Sequence, residues 1–187
     1  MMWLPTYASR FLNFNENEKA LIATLFDIGT IIGSVLLGLL SDITYGKRSP
    51  VAIGALLLAT VGHVFLVLLD ERFKTWLFVL IFVLGLFVGG ISNMVVGSAV
   101  ADIGKLEALM NNDKAISTIT GIIDGTGSLG AAVGQFIIGW MSEQSWQGVF
   151  ILMTIMVFLS GIPLIGVLIR DIKDIKLLRE RHRMHPT

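Results

Sequence analysis

The sequence predicts an all-α membrane protein, and three observations predict it. Charged residues make up 15% of the 187 and hydrophobic ones 54%, with a mean hydropathy of +0.78. A soluble domain carries about 25% charge, so a bilayer is the better solvent for this surface. Five stretches reach the ~20 mostly apolar residues that a helix needs to cross a ~30 Å hydrocarbon core: roughly 19–41, 50–69, 75–100, 115–141 and 147–169. They are longer than the ~9 to 11 residues of a barrel strand and lack period-two alternation, so they read as helices.

The first segment, 1–14, is apolar and aromatic but is broken by Pro5. As a helix it covers only ~20 Å and cannot span alone. Two readings stand: the last part of a helix whose beginning lies outside the sequence, or an interfacial anchor with Trp3 and Tyr7 at headgroup depth. Met1 to Pro5 lack a basic region, so no cleavable signal peptide is expected.

Span 19–41 follows the charged run Glu16 to Lys19 and carries Asp27, with Thr24, Thr30 and Ser34 on the same face. Substrate-path and structural roles for Asp27 are equally open. Span 50–69 carries His63 near its far end, where a packing role outweighs a proton relay. Span 75–100 carries Asn93, the one amide in the middle of a span and a candidate for a cavity lining.

Span 115–141 has the clearest polar face. At helical spacing Ser117, Thr120, Asp124, Ser128, Ala131 and Gln135 form one stripe. Asp124 lies about nine residues, or ~14 Å, from the span's end, close to the midplane. A charge there costs at least ~2.5 to 3.5 kcal/mol on insertion scales, so it faces a cavity or a partner. The stripe therefore favours a water-filled pathway over an aspartate buried in the bundle. Span 147–169 contains Gly161 and Pro163, which predict a kink.

Small residues recur four apart at Gly29 and Gly33, Ser34 and Gly38, Gly85 and Gly89, and Gly130 and Gly134, the spacing of helices that approach closely. Ten Lys and Arg residues fall on one side of the spans: Lys47, Arg48, Lys105, Lys114 and six in the tail 170–187. Four, Arg10, Lys19, Arg72 and Lys74, fall on the other. This asymmetry predicts a cytosolic tail, solvated in the manner of a stop-transfer segment.

Several classes are excluded. Without cysteine there is no disulfide framework, thiolate metal site or cysteine nucleophile. The net charge of zero argues against nucleic acid as a partner. Asp124-Gly125-Thr126-Gly127 is not the Gly-x-Gly-Asp context of an intramembrane protease. Gly46-Lys47-Arg48-Ser49 lacks the upstream glycine spacing of a phosphate loop. The chain is therefore read as no enzyme, with no cofactor and no metal.

The loop after the first full span reads Gly38-Leu39-Leu40-Ser41-Asp42-Ile43-Thr44-Tyr45-Gly46-Lys47-Arg48. It resembles the cytosolic loop motif of the major facilitator superfamily, with Gly46 one residue later than usual and Ile43 where a basic residue commonly stands. In such a gating loop Asp42 at a helix end can pair with a neighbouring helix terminus, and Gly46 permits the reversal. With Trp3-Leu4-Pro5-Thr6-Tyr7, Thr24 to Gly29, and above all Lys114 to Gly130, the text is similar to the C-terminal half of sugar-phosphate exchangers. These form the organophosphate:phosphate antiporter group, in the solute-carrier branch that contains the glucose-6-phosphate transporter of the endoplasmic reticulum.

The resemblance implies the C-terminal six-helix half of a major facilitator fold with its first helix truncated, residues 1–14 being the end of the seventh helix. It implies exchange of a sugar phosphate or other organic phosphate for inorganic phosphate by alternating access. The implied partners are the lipid bilayer and a missing N-terminal helical half. The implied location is the endoplasmic reticulum membrane, with another internal membrane or the plasma membrane as alternatives. No Lys or Arg stands between the ends of the spans, so the cations that hold a phosphate are expected outside this sequence. The alternative is a truncated, non-transporting membrane protein that packs against or regulates a full carrier.

Overall fold

The computed structural model describes residues 3–11, 14–44, 46–68, 74–104 and 113–184, all of their regular structure helical. In chain order these are α1 (Leu4–Phe11), α2 (Glu16–Ile43), α3 (Ser49–Leu68), α4 (Lys74–Leu84), α5 (Gly90–Gly104), α6 (Asp113–Ser142), α7 (Trp146–Ser160) and α8 (Ile162–Met184). A single π-helical turn, Gly85–Gly89, joins α4 to α5. Among the described residues five stretches are long and apolar enough to cross a membrane: Glu16–Ile43, Ser49–Leu68, Thr75–Gly97, Lys114–Ser142 and Trp146–Lys176.

Helix ends follow local chemistry. The Asn15 N–H donates to the Glu18 carboxylate at 2.8 Å, occupying a donor that the first turn of α2 leaves open. At the other end the Gly46 N–H donates to the Ser41 carbonyl, and Gly46 has φ 70°, a left-handed conformation that glycine adopts without a Cβ clash. The Ser145 hydroxyl accepts the Gly148 N–H and starts α7. The last span is interrupted at Gly161: Pro163 has no N–H to offer the Leu159 carbonyl, and the Leu164 N–H reaches back only to Gly161.

The tightest helix pair is α2 against α4, the π turn and α5. A Cβ added at Gly29 would fall on the Phe82 carbonyl oxygen, at Gly33 on that of Leu86, and at Gly85 on that of Phe26. Two backbones meet there with nothing between them, which glycines four apart permit on both helices. Gly38, Gly97, Gly130 and Gly134 meet no neighbour within 4 Å, so spacing alone did not select the packed pairs.

Two apolar clusters hold the bundle. One gathers Trp3, Leu4, Ile22, Leu66, Ile81, Trp146 and Phe150, with the Trp3 and Phe150 rings 5.5 Å apart and Tyr7 edge-on to Phe150 at 4.9 Å. Trp3 is therefore a core residue rather than a headgroup anchor. The other gathers Leu37, Ala52, Ala55, Ile91 and Met94 toward the opposite end. α3 turns a stripe of Ala52, Ala55, Ala59, Gly62 and Leu66 inward and packs on α7 and α8. α6 is different: Ile138 is its one buried residue among those described, while Leu129, Val133, Phe136 and Trp140 are exposed.

Candidate functional site

The polar candidates sit on three helices. Asp27 is on α2, Asn93 on α5, and Ser117, Thr120, Asp124 and Ser128 on α6; α5 lies against both α2 and α6. Asp27, Asn93, Ser117, Asp124 and Ser128 are exposed and Thr120 is half-buried. The Thr120 hydroxyl donates to the Ile116 carbonyl at 2.9 Å, one turn back on its own helix. Neither aspartate has an ion pair among the described residues. The bundle thus leaves two carboxylates uncovered on the flanks of apolar helices.

His63 is the opposite case. It is 2% exposed, with Nδ1 2.9 Å from the Ala59 carbonyl oxygen on its own helix. The Thr30 hydroxyl marks the close contact of α2 with the π turn. It donates to the Phe26 carbonyl at 3.0 Å and lies 3.4 Å from that of Gly85, the carbonyl that also accepts the Gly90 N–H. A π turn inside an α-helix leaves such groups imperfectly paired, and these turns occur at functional places.

At the end of α2, Gly38 is half-buried, Asp42 is exposed without an ion pair among the described residues, and Arg48 is half-buried. The basic end of the loop does the pairing. Lys47 Nζ is 2.6 Å from Asp174 Oδ2 and 3.3 Å from Asp171 Oδ1, and the Ser49 hydroxyl donates to Asp171 Oδ2 at 2.5 Å. The hydrogen bond to Asp174 above all, with Asp171 adding to it and partial desolvation opposing, holds the Lys47 ammonium above the usual lysine range.

Sequence reading placed Lys47 in a loop motif but left Asp171 and Asp174 in a solvated tail. Their three-residue spacing puts both on one face of α8, which runs on to Met184 and lays that face against the loop. Lys47 and the last helix therefore share one end of the bundle. Tyr45, Arg72 and Lys105 lie outside the described residues.

The family model of the Major Facilitator Superfamily matches residues 1–184. Among curated proteins, mouse "Sugar phosphate exchanger 3" is 37% identical over 190 residues, covering 98% of this chain and 37% of the relative. The human protein of the same name is 35% identical over 181 residues, covering 96% and 36%. Mouse "Glucose-6-phosphate exchanger SLC37A2" is 36% identical over 150 residues, covering 80% and 30%. The chain thus spans about a third of the length of the curated relatives it matches. No solved structure matches it.

Proposed function

Because this chain belongs to the major facilitator superfamily, we propose that it is one helical bundle, the C-terminal one, of a multi-pass carrier that exchanges a sugar phosphate or other organic phosphate for inorganic phosphate. The observation that carries the reading is the pair of exposed carboxylates, Asp27 and Asp124, on otherwise apolar spans. A charge on a lipid-facing flank is costly, so these flanks meet water or a second bundle. Alternating access supplies both, through a midplane path between two bundles that rock against each other.

In this reading Asp27, Asn93, Ser117, Thr120, Asp124 and Ser128 line the path. They are hydrogen-bonding and acidic groups, suited to sugar hydroxyls and to cationic side chains, but not to a dianionic phosphate by themselves. The complementary bundle contributes the cations. The loop from Gly38 through Asp42 and Gly46 to Lys47 and Arg48 faces the cytosol and takes part in closing that side, and the C-terminus is cytosolic. The endoplasmic reticulum membrane is the proposed location, and the protein is proposed to be a carrier without enzymatic activity.

The test is efflux of radiolabelled phosphate from vesicles reconstituted with the full-length carrier that contains this bundle. External sugar phosphate should accelerate efflux at least tenfold over buffer. Efflux that ignores every organic phosphate, from protein that is correctly inserted, overturns exchange and favours the non-transporting alternative.

A further inference from the structure

One polar side chain stands inside the closest helix contact of the bundle. Gly29 and Gly33 of α2 meet the carbonyls of Phe82 and Leu86, while Gly85 meets that of Phe26 and Gly90 meets the backbone of Gly33. Gly89 alone among these glycines meets a side chain, that of Thr30. The Thr30 hydroxyl shares its proton between two helices: the Phe26 carbonyl of its own helix at 3.0 Å and the Gly85 carbonyl of the π turn at 3.4 Å. That Gly85 carbonyl also accepts the Gly90 N–H, the longer bond that makes the turn π rather than α.

The π turn sets the register of everything after it. It holds one residue more than the α turn it replaces, and one residue turns an α-helix by about 100°. On α5, Ile91 and Met94 are buried in the cluster of Leu37, Ala52 and Ala55, while Asn93 is exposed. If Gly85–Gly89 closed as α with α4 held fixed, each later residue would advance one place. Asn93 would then take the apolar place of Met94, and Met94 would turn out of the cluster. An amide is costly among apolar side chains that offer it no hydrogen bond. The extra residue therefore keeps Asn93 out of the core.

We infer that Thr30 is a positioning residue for Asn93. By holding the Gly85 carbonyl and occupying the space beside Gly89, it fixes the π turn, and with it the face that α5 turns toward the solute. The inference rests on the proposed reading of Asn93 as a path residue. Threonine suits the place, because its β-branch restricts χ1 and its hydroxyl bonds the carbonyl one turn back, leaving the side chain little freedom to retreat. Thr30 acts through the backbone of the π turn and need not touch the solute.

The experiment is cysteine labelling of the full-length carrier in membranes, with its other cysteines replaced. Asn93→Cys should react with a small impermeant methanethiosulfonate at least tenfold faster than Met94→Cys. Adding Thr30→Val, which keeps the shape and removes the hydroxyl, should narrow that difference below threefold, and Thr30→Ser should restore it. In exchange, Thr30→Val should raise KM for external sugar phosphate at least threefold with kcat within twofold, and should change nothing further in an Asn93→Ala carrier. Equal rates at positions 93 and 94 with Thr30 in place, a difference that survives Thr30→Val, or additive effects of Thr30→Val and Asn93→Ala overturn the inference. If Thr30→Val fails to accumulate, Thr30→Ala is read in the same way. Exchange absent from a correctly inserted carrier counts against the proposed function alone, because the labelling requires no transport.

Discussion

Lys47 and Asp174 stand 127 residues apart in the chain, and their side chains meet at 2.6 Å. With Asp171 and Ser49 they fasten the loop after α2 to the last helix. The helix at the loop's start, α2, is also the one locked backbone to backbone against the π turn. The clasp therefore joins the tightest helix pair of the bundle to α8, which packs on α3 on the other flank.

Removing the clasp should cost little stability per pair. Exposed ion pairs contribute roughly 0.2 to 1 kcal/mol, and Asp174 is half exposed at 53%. Lys47→Met and Asp174→Asn should each lower the melting temperature by a few degrees, and the double variant by less than the sum. Strict additivity would mean the two side chains do not interact.

The pH dependence has a defined sign. Lys47 titrates higher in the fold than when unfolded, where lysine has a value near 10.4. Its contribution is fully present below that unfolded value and is lost as pH rises through the higher folded one. The melting difference between the unmodified protein and Lys47→Met should be flat from about pH 7 to 9 and shrink above about pH 10.5. A difference that grows with alkalinity contradicts this linkage.

Gly33→Ala should damage assembly, because its Cβ would fall on the Leu86 carbonyl oxygen and backbone cannot step aside. Overpacking of this kind costs about 1 to 3 kcal/mol or more. Gly54→Ala, where a Cβ meets nothing within 4 Å, is the control. The yield of monodisperse protein after extraction should fall several-fold for the first and hold for the second.

In the full-length carrier, Asp124→Asn should reduce exchange at least tenfold with unchanged protein level, measured as efflux per inserted molecule. Thr126→Val is the control on the same helix, since the Thr126 hydroxyl is engaged with the Ile122 carbonyl of its own turn. Full exchange in Asp124→Asn would assign Asp124 a structural role.

Sidedness can be read directly, because the chain has no cysteine. In sealed microsomes Lys176→Cys should react with an impermeant maleimide, and Glu143→Cys should react only after detergent. The reverse pattern would invert the proposed orientation.

The amino-acid sequence by itself determined the helical, membrane-borne class. Long apolar runs with so little charge cannot satisfy their backbone in a bilayer any other way. It also displayed the glycines four apart and the break at Gly161 and Pro163, since helix periodicity and proline chemistry are local. Only the tertiary structure decided which glycine rows meet. Gly29 and Gly33 meet the backbone of Phe82 and Leu86, while Gly130 and Gly134 border a cavity, and identical spacing carries both outcomes. It alone brought Lys47 to Asp171 and Asp174, and turned Trp3 into the core. Ion pairs and ring contacts depend on distance in space, and a chain folded back through five spans places next to each other residues whose order along it carries no such information.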